Sequence, residues 1–201
     1  MEHPARWDFI NYLIERNNYK SYLEIGVKHI GINFNRIKAE FKEGVDPEFL
    51  ALATYHMTSD EFFKSHCNRS YDIIFIDGLH LEEQVLRDVA NSIKHLNTNG
   101  TIVLHDCSPT QKIHQLPTET FDVIWNGTVW RAFARLRMTR PDLFMCTVDS
   151  DHGLGVITAG SQTTYPSSPL SFEFLVSNRA SLLNLVKFKQ FKTDIAPNIY
   201  S

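Results

Sequence analysis

Two aspartates and a histidine, Asp77, Asp106 and His80, stand where a reaction centre would need them. Each aspartate follows an apolar run, Ile73 to Ile76 and Ile102 to Leu104, so both mark the ends of predicted strands. Carboxylates on neighbouring parallel strands can share a hard divalent ion, which takes oxygen ligands and acidifies a hydroxyl bound to it. The imidazole of His80 titrates near neutral pH and suits removal of that proton. Two further acids, Glu24 and Asp46, belong to earlier predicted strands, and Asp46 lies twenty residues beyond Gly26. At that distance from the first loop, an acid ending the second strand can hold the two hydroxyls of a ribose.

Each residue also has a plainer reading. Acids at strand ends cap helices or bind loop amides, Glu24 fits a buried acid satisfied by amides, and Ser59-Asp60 fits a simple helix cap. His80 fits a surface cap of the helix beginning at Leu81, and His105 reads as a packing residue. The other histidines have no partner at ligand spacing.

The stretch from Tyr71 to Cys107 reads as strand, helix, strand, and it carries both aspartates. Val85, Val89, Ile93 and Leu96 recur at helical spacing, with Glu82 and Glu83 in the first turn, Lys94 and His95 in the last, and Asn99-Gly100 as the stop. A crossover of this length makes a right-handed unit with parallel strands. Asp77 and Asp106 therefore share the carboxyl edge of the sheet, where open α/β sheets bind ligands.

Upstream, residues 5 to 16 predict a helix, Ser21 to Ile25 a strand, Phe34 to Phe41 a short helix, and Gly44-Val45 a strand ending on Asp46. Tyr55 to Thr58 predicts a third strand, with Ser59 as N-cap of a helix through Phe62 and Phe63. Downstream, Ser108 to Asn126 is a long connection containing Pro109, Pro117, Phe121 and Trp125, of the kind that forms lids. Thr128 to Thr139 predicts a helix bearing Arg131 and Arg135, which could hold an anionic group or form a solvated face. Leu143 to Val148 and Gly155 to Ala159 predict an antiparallel hairpin, and Phe172 to Phe191 a helix. The expected fold is α/β, a doubly wound, mostly parallel seven-stranded sheet with an antiparallel C-terminal hairpin, in one domain over residues 1–201.

A net charge of -3 gives no footprint for nucleic acid or an anionic membrane. No apolar run of membrane-spanning length or signal peptide is present, which leads to an expectation of a cytoplasmic protein. Cys67, Cys107 and Cys146 are widely spaced, which fits a reducing compartment and argues against structural zinc.

A dinucleotide's pyrophosphate needs several glycines for close backbone approach, and the first loop offers only Gly26 and Gly31. An adenosine cofactor without phosphates tolerates such a loop better. The segments YLEIGV, GVDP and FIDGLH…GTIVLHDC, with the hairpin ending, resemble the class I S-adenosylmethionine-dependent methyltransferases, closest to a small stand-alone group often found with sugar-modifying genes. The resemblance covers residues 5 to 191 and implies a Rossmann-like methyltransferase fold. It implies cofactor contacts from Glu24, Gly26, Asp46, Ser59, Asp60 and Asp77.

The run Asp77, His80, Asp106 further resembles the magnesium-dependent branch that includes catechol O-methyltransferase and macrolide-sugar O-methyltransferases. This implies a catalytic set of Asp77, His80 and Asp106, with Asp77 and Asp106 as ligands to Mg2+. The chain departs from the catechol pattern at Cys107, where an amide ligand is expected, since a soft thiol is a poor magnesium ligand. Trp125 to Trp130 resembles a WNGxVW segment of the stand-alone group, and its rings suit either stacking on an acceptor or core packing.

The expected activity is methyl transfer from S-adenosylmethionine to a hydroxyl of a sugar or similar small polar acceptor. A nicotinamide-dependent oxidoreductase and a cofactor-binding protein without turnover are the alternatives on the same sheet. No nucleic-acid or membrane partner is expected, and a homo-oligomer stays open.

Overall fold

The computed structural model describes residues 2–119 and 123–199, so Phe121 lies outside the described residues. Helix α1, Arg6–Asn17, buries Phe9, Ile10, Leu13 and Ile14 on one side and stops at Asn18 in a left-handed conformation. Strands β1 (Ser21–Ile25), β2 (Phe41–Val45), β3 (Tyr71–Ile76) and β4 (Leu96–Leu104) are parallel to one another. Helices α2 (Ser59–Ser65) and α3 (Glu82–Lys94) lie between them in sequence, and α4 (Val129–Thr139) follows. Strands β5 (Leu143–Val148) and β6 (Leu154–Ala159) form a hairpin whose second strand runs antiparallel to β4. Helix α5, Phe172–Leu182, leads to β7, Leu185–Val186, and a helical stretch covers 188–199. The sheet order is β2-β1-β3-β4-β6-β5-β7.

Alternation along the strands divides the core between the two sheet faces. On β3, Ile74 and Ile76 join Val85, Val89 and Phe133, whereas Ile73 and Phe75 join Phe9, Leu13 and Phe188. Helices therefore cover both faces, which leaves the ends of the parallel strands as the ligand edge.

The α/β class, the mostly parallel sheet and the terminal hairpin are as expected, but the seven strands are not the seven anticipated. Tyr55 to Thr58 supplies one parallel bridge, Tyr55 to Val45, because the short connection holds only a 3-10 turn at Phe49–Ala51 and a left-handed Leu52. The seventh strand is instead β7, cut from the predicted Phe172–Phe191 helix where Asn184 turns left-handed and Val186 pairs with Val148.

Asn99-Gly100 does not end α3. That helix stops at Lys94, and the two residues lie inside β4, within the register shift between the Tyr71–Leu96 and Ile73–Thr101 pairs. The cap of α2 is Thr58 rather than Ser59, in a capping box with Glu61. The predicted Phe34–Phe41 helix shrinks to a 3-10 turn at Phe34–Arg36, after which Ile37 is extended.

Candidate active site

A cavity of about 880 Å³ opens at the carboxyl edge of β1, β2, β3 and β4, within the range of about 300–1,000 Å³ usual for ligand pockets. Glu24, Gly26, Asp46, Ser59, Asp60, Asp77, His80 and Asp106 all line it. The topology brings these residues together from five segments of the chain.

Toward β2, Asp46 is buried and accepts backbone N–H bonds from Lys28 (2.7 Å) and Glu48 (2.8 Å), so it fixes the two loops that frame the cavity. The Ser59 hydroxyl accepts from Gln84 Nε2 at 3.1 Å, and exposed Asp60 pairs with Arg87 at 3.3 Å. Gly26 is needed where it stands: its φ is +89°, and a Cβ there would come within 2.3 Å of the Asp77 carbonyl. Gly31 has no such constraint, since a Cβ would meet nothing within 4 Å.

Glu24, buried on β1, accepts at Oε2 from the Tyr22 hydroxyl (2.5 Å) and from Asn33 Nδ2 (3.0 Å). Burial pushes its carboxyl up to about 8, against the pull of those two donors. At neutral pH this acid keeps its proton unless a cation enters beside it.

The third group is dense. His80 Nε2 lies 3.3 Å from Asp77 Oδ1, and its Nδ1 lies 3.3 Å from Asp106 Oδ2. His105 Nδ1 sits between the same carboxylates, 3.0 Å from Asp77 Oδ1 and 3.1 Å from Asp106 Oδ2. Its Nε2 faces Asp151 Oδ1 at 3.4 Å. Arg6 closes the group from α1, with Nη1 2.5 Å from Asp77 Oδ2 and Nε 3.1 Å from Asp151 Oδ2.

Burial alone would lower both histidines, but the carboxylates outweigh it. His80 is raised by its bond to Asp77 and by the Asp106 charge, and His105 is raised well above the usual range by Asp77 and Asp106. Burial would raise Asp77, yet His105 holds it well below the usual carboxylate range.

His80 is positioned by the Trp125 to Thr128 segment. Its Nδ1 meets the Trp125 carbonyl at 3.0 Å, and its ring stacks on Trp125 at 4.8 Å between centroids. The Thr128 N–H donates to the His80 carbonyl at 2.8 Å, and the Thr128 hydroxyl accepts from Glu82 N–H at 2.7 Å, which caps α3. Between them Gly127 has φ +57°, and a Cβ there would reach within 2.1 Å of the His80 carbonyl. Asn126 donates its amide to Asp106 Oδ1.

Trp130 is wholly buried, with its indole N–H on Gln115, so this ring packs the core. Cys107 is also core: its thiol bonds the Leu104 carbonyl at 3.5 Å, and Asp106 makes the turn in a left-handed conformation. Arg131 and Arg135 do not line the cavity. Arg131 contacts Gln115, and Arg135 pairs with Glu82 at 2.6 Å.

Sequence reasoning missed Arg6 and Asp151, marked Asn126 only as part of the Trp125 to Trp130 segment, and gave His105 as a packing residue. Arg6 and Asp151 carry no periodic signal. His105, flanking Asp106 at the end of an apolar run, could have been found by its position.

Residues 15–107, from the end of α1 to the turn after β4, match the family described as a methyltransferase domain. Among solved structures, the chain is similar to a Staphylococcus aureus protein assigned as a caffeoyl-CoA O-methyltransferase, at 18% identity and TM-score 0.59, over 79% of this chain and 86% of that one. It is also similar to a Bacillus cereus O-methyltransferase in complex with SAH, at 14% identity and TM-score 0.54, over 79% and 81%. A third likeness is to the MycE methyltransferase of the mycinamycin biosynthetic pathway in complex with Mg and SAH, at 16% identity and TM-score 0.50, over 87% and 54%. At these identities the structural likeness is one of fold. No curated protein shows significant sequence similarity to the chain.

The matched stretch spans a little under half of the chain, and the fold is the one shared with these methyltransferase structures. No helix among the described residues is long and apolar enough to cross a membrane.

Proposed function

We propose that residues 1–201 form one methyltransferase domain that transfers the methyl group of S-adenosylmethionine to a hydroxyl of a sugar or similar small polar acceptor in the cytoplasm. The observation that carries this reading is the convergence of His80 on both Asp77 and Asp106, each at 3.3 Å, on the floor of the cavity that Glu24 and Asp46 also line. SAH in the Bacillus cereus structure and Mg and SAH in MycE agree with it. The two-glycine loop, of which only Gly26 is sterically required, counts against a pyrophosphate-bearing nicotinamide cofactor.

Methyl transfer is an in-line displacement, so the protein must align the acceptor oxygen and take its proton. The Trp125 carbonyl calls for the hydrogen on His80 Nδ1, which leaves the Nε2 lone pair to accept that proton. Asp77 Oδ1, 3.3 Å from Nε2, stabilises the imidazolium that results. His80 accepts only when neutral, so its raised pKa makes transfer climb with pH through that value. Glu24 and Asp46 would hold the methionine and ribose parts of the cofactor, with Ser59 and Asp60 at the adenine.

A divalent ion fits the donor set. Ligand atoms of Asp77, His80 and Asp106 fall within 4.8 Å of one another, and the carboxylates are hard donors. Asp77 and Asp106 would hold the ion, which when bound supplies Lewis acidity to the acceptor hydroxyl. Cys107 takes no part, its thiol being buried in the core.

Calorimetry of the whole chain tests the reading. SAH binds at micromolar concentration and NAD does not; NAD binding without SAH binding would overturn it.

A further inference from the structure

The lining of the cavity is rich in acids, and its permanent cations among the described residues are Arg6 and Lys28. Lys28 extends its side chain outward, largely exposed, toward Glu119 at 3.7 Å. Arg6 is the cation set inward. Its side chain is one-fifth exposed, and both Asp151 and Asp77 hold it in place.

The guanidinium is fixed before any ligand arrives. The Arg6 N–H donates to Asp151 Oδ2 at 2.7 Å, and Ser150 Oγ donates to the Pro4 carbonyl at 2.6 Å, so the β5–β6 turn clamps the start of α1. Nε and Nη2 contact Asp151, and Nη1 contacts Asp77. A guanidinium carries five N–H donors, so two remain for a ligand. Glu24 lines the same cavity, and its donors Tyr22 and Asn33 both meet Oε2. The cavity lining thus holds both an acid and a pre-set cation.

A methionine tail presents an ammonium and a carboxylate on one carbon, which such a pair matches. We infer that Arg6 binds the α-carboxylate of the cofactor's methionine moiety, opposite the acid of Glu24 that takes the ammonium. This rests on the methyltransferase reading above and adds a residue to it. Arg6 then makes the site selective for cofactors that retain the amino-acid carboxylate, over adenosyl thioethers that lack it.

The test is calorimetry on the full chain with SAH, with its decarboxylated analogue and with 5′-methylthioadenosine. A charge-assisted guanidinium–carboxylate pair predicts that the native protein prefers SAH over the decarboxylated analogue by about 10- to 100-fold. In Arg6→Gln that preference collapses, with SAH weakened and the analogue unchanged, while Arg6→Lys keeps part of it. Equal affinity of the native protein for SAH and the analogue overturns the inference without any variant. So does an Arg6→Gln protein that weakens both ligands alike, since that marks a purely structural role through Asp77 and Asp151. If the native protein binds none of the three, the methyltransferase reading itself falls, a different outcome from losing the preference.

Discussion

The two ends of the cavity are built differently. At the end near β2, Asp46 is fixed by backbone amides, while Ser59 and Asp60 lie at the start of α2 with Asp60 exposed to solvent. At the other end, Asp77, His80, His105 and Asp106 are joined side chain to side chain and braced by Arg6, Asn126 and Asp151. A site held by main-chain amides tolerates changes in its neighbours, whereas a charge network loses geometry and chemistry together when one member goes. The contrast suits an invariant nucleoside at one end and a reaction needing fixed proton positions at the other.

The largest break is expected at the reacting end. His80→Ala should lower methyl transfer by about 10²- to 10⁴-fold, the usual weight of a general base. SAH binding should change little, which stopped-flow transfer assays and calorimetry would separate. A variant losing both equally would show that His80 only holds the fold.

Gly127→Ala tests the brace without touching a reacting group. The clash with the His80 carbonyl and the positive φ should cost about 2–3 kcal/mol, read by chemical denaturation. Transfer should fall as well, because His80 moves with its carbonyl. An unchanged protein would contradict the close approach of the two segments.

Under the proposed function, Glu24 makes cofactor binding sensitive to pH. Its folded pKa of about 8 lies above the ordinary value, so its contribution to stability of the empty protein is complete below the unfolded pKa of 4.5 and is lost as pH rises through 8. A bound ammonium favours the ionised form and so expels the proton. SAH affinity should therefore rise between pH 6 and 8, by at most about tenfold per unit, and should be flat in Glu24→Gln. Calorimetry in buffers of different ionisation heat counts the released proton directly.

The smallest effect is expected at Asp60. Its pair with Arg87 is exposed, so Asp60→Asn should shift stability by less than about 1 kcal/mol. SAH affinity should fall only a few-fold. A larger loss of affinity would mean that the nucleoside end is as tightly specified as the other.

The sequence revealed more of the cavity end near β2 than of the support for the Asp77–His80–Asp106 end. Asp46 was legible because a strand end and a spacing of twenty residues from Gly26 are local features. Asp77 and Asp106 followed from the rule that a crossover unit puts its strand ends on one edge. Arg6 and Asp151 meet Asp77 and His105 only because α1 and the β5–β6 turn dock there, contacts spanning 71 and 145 positions for the arginine alone. No periodicity encodes that. The strand expected at Tyr55 to Thr58 failed for a related reason: β propensity was present, but a left-handed Leu52 and a short connection left room for a single bridge. The Trp125 to Thr128 motif was visible, whereas its work on the His80 ring and carbonyl was not.

A crystal structure of the chain with SAH puts the central claim to its most direct test. The account predicts the ribose on Asp46, adenine beside Ser59 and Asp60, and the sulfur facing His80 and Asp106. Density placing the nucleoside outside this cavity, or its sulfur away from His80, would contradict it.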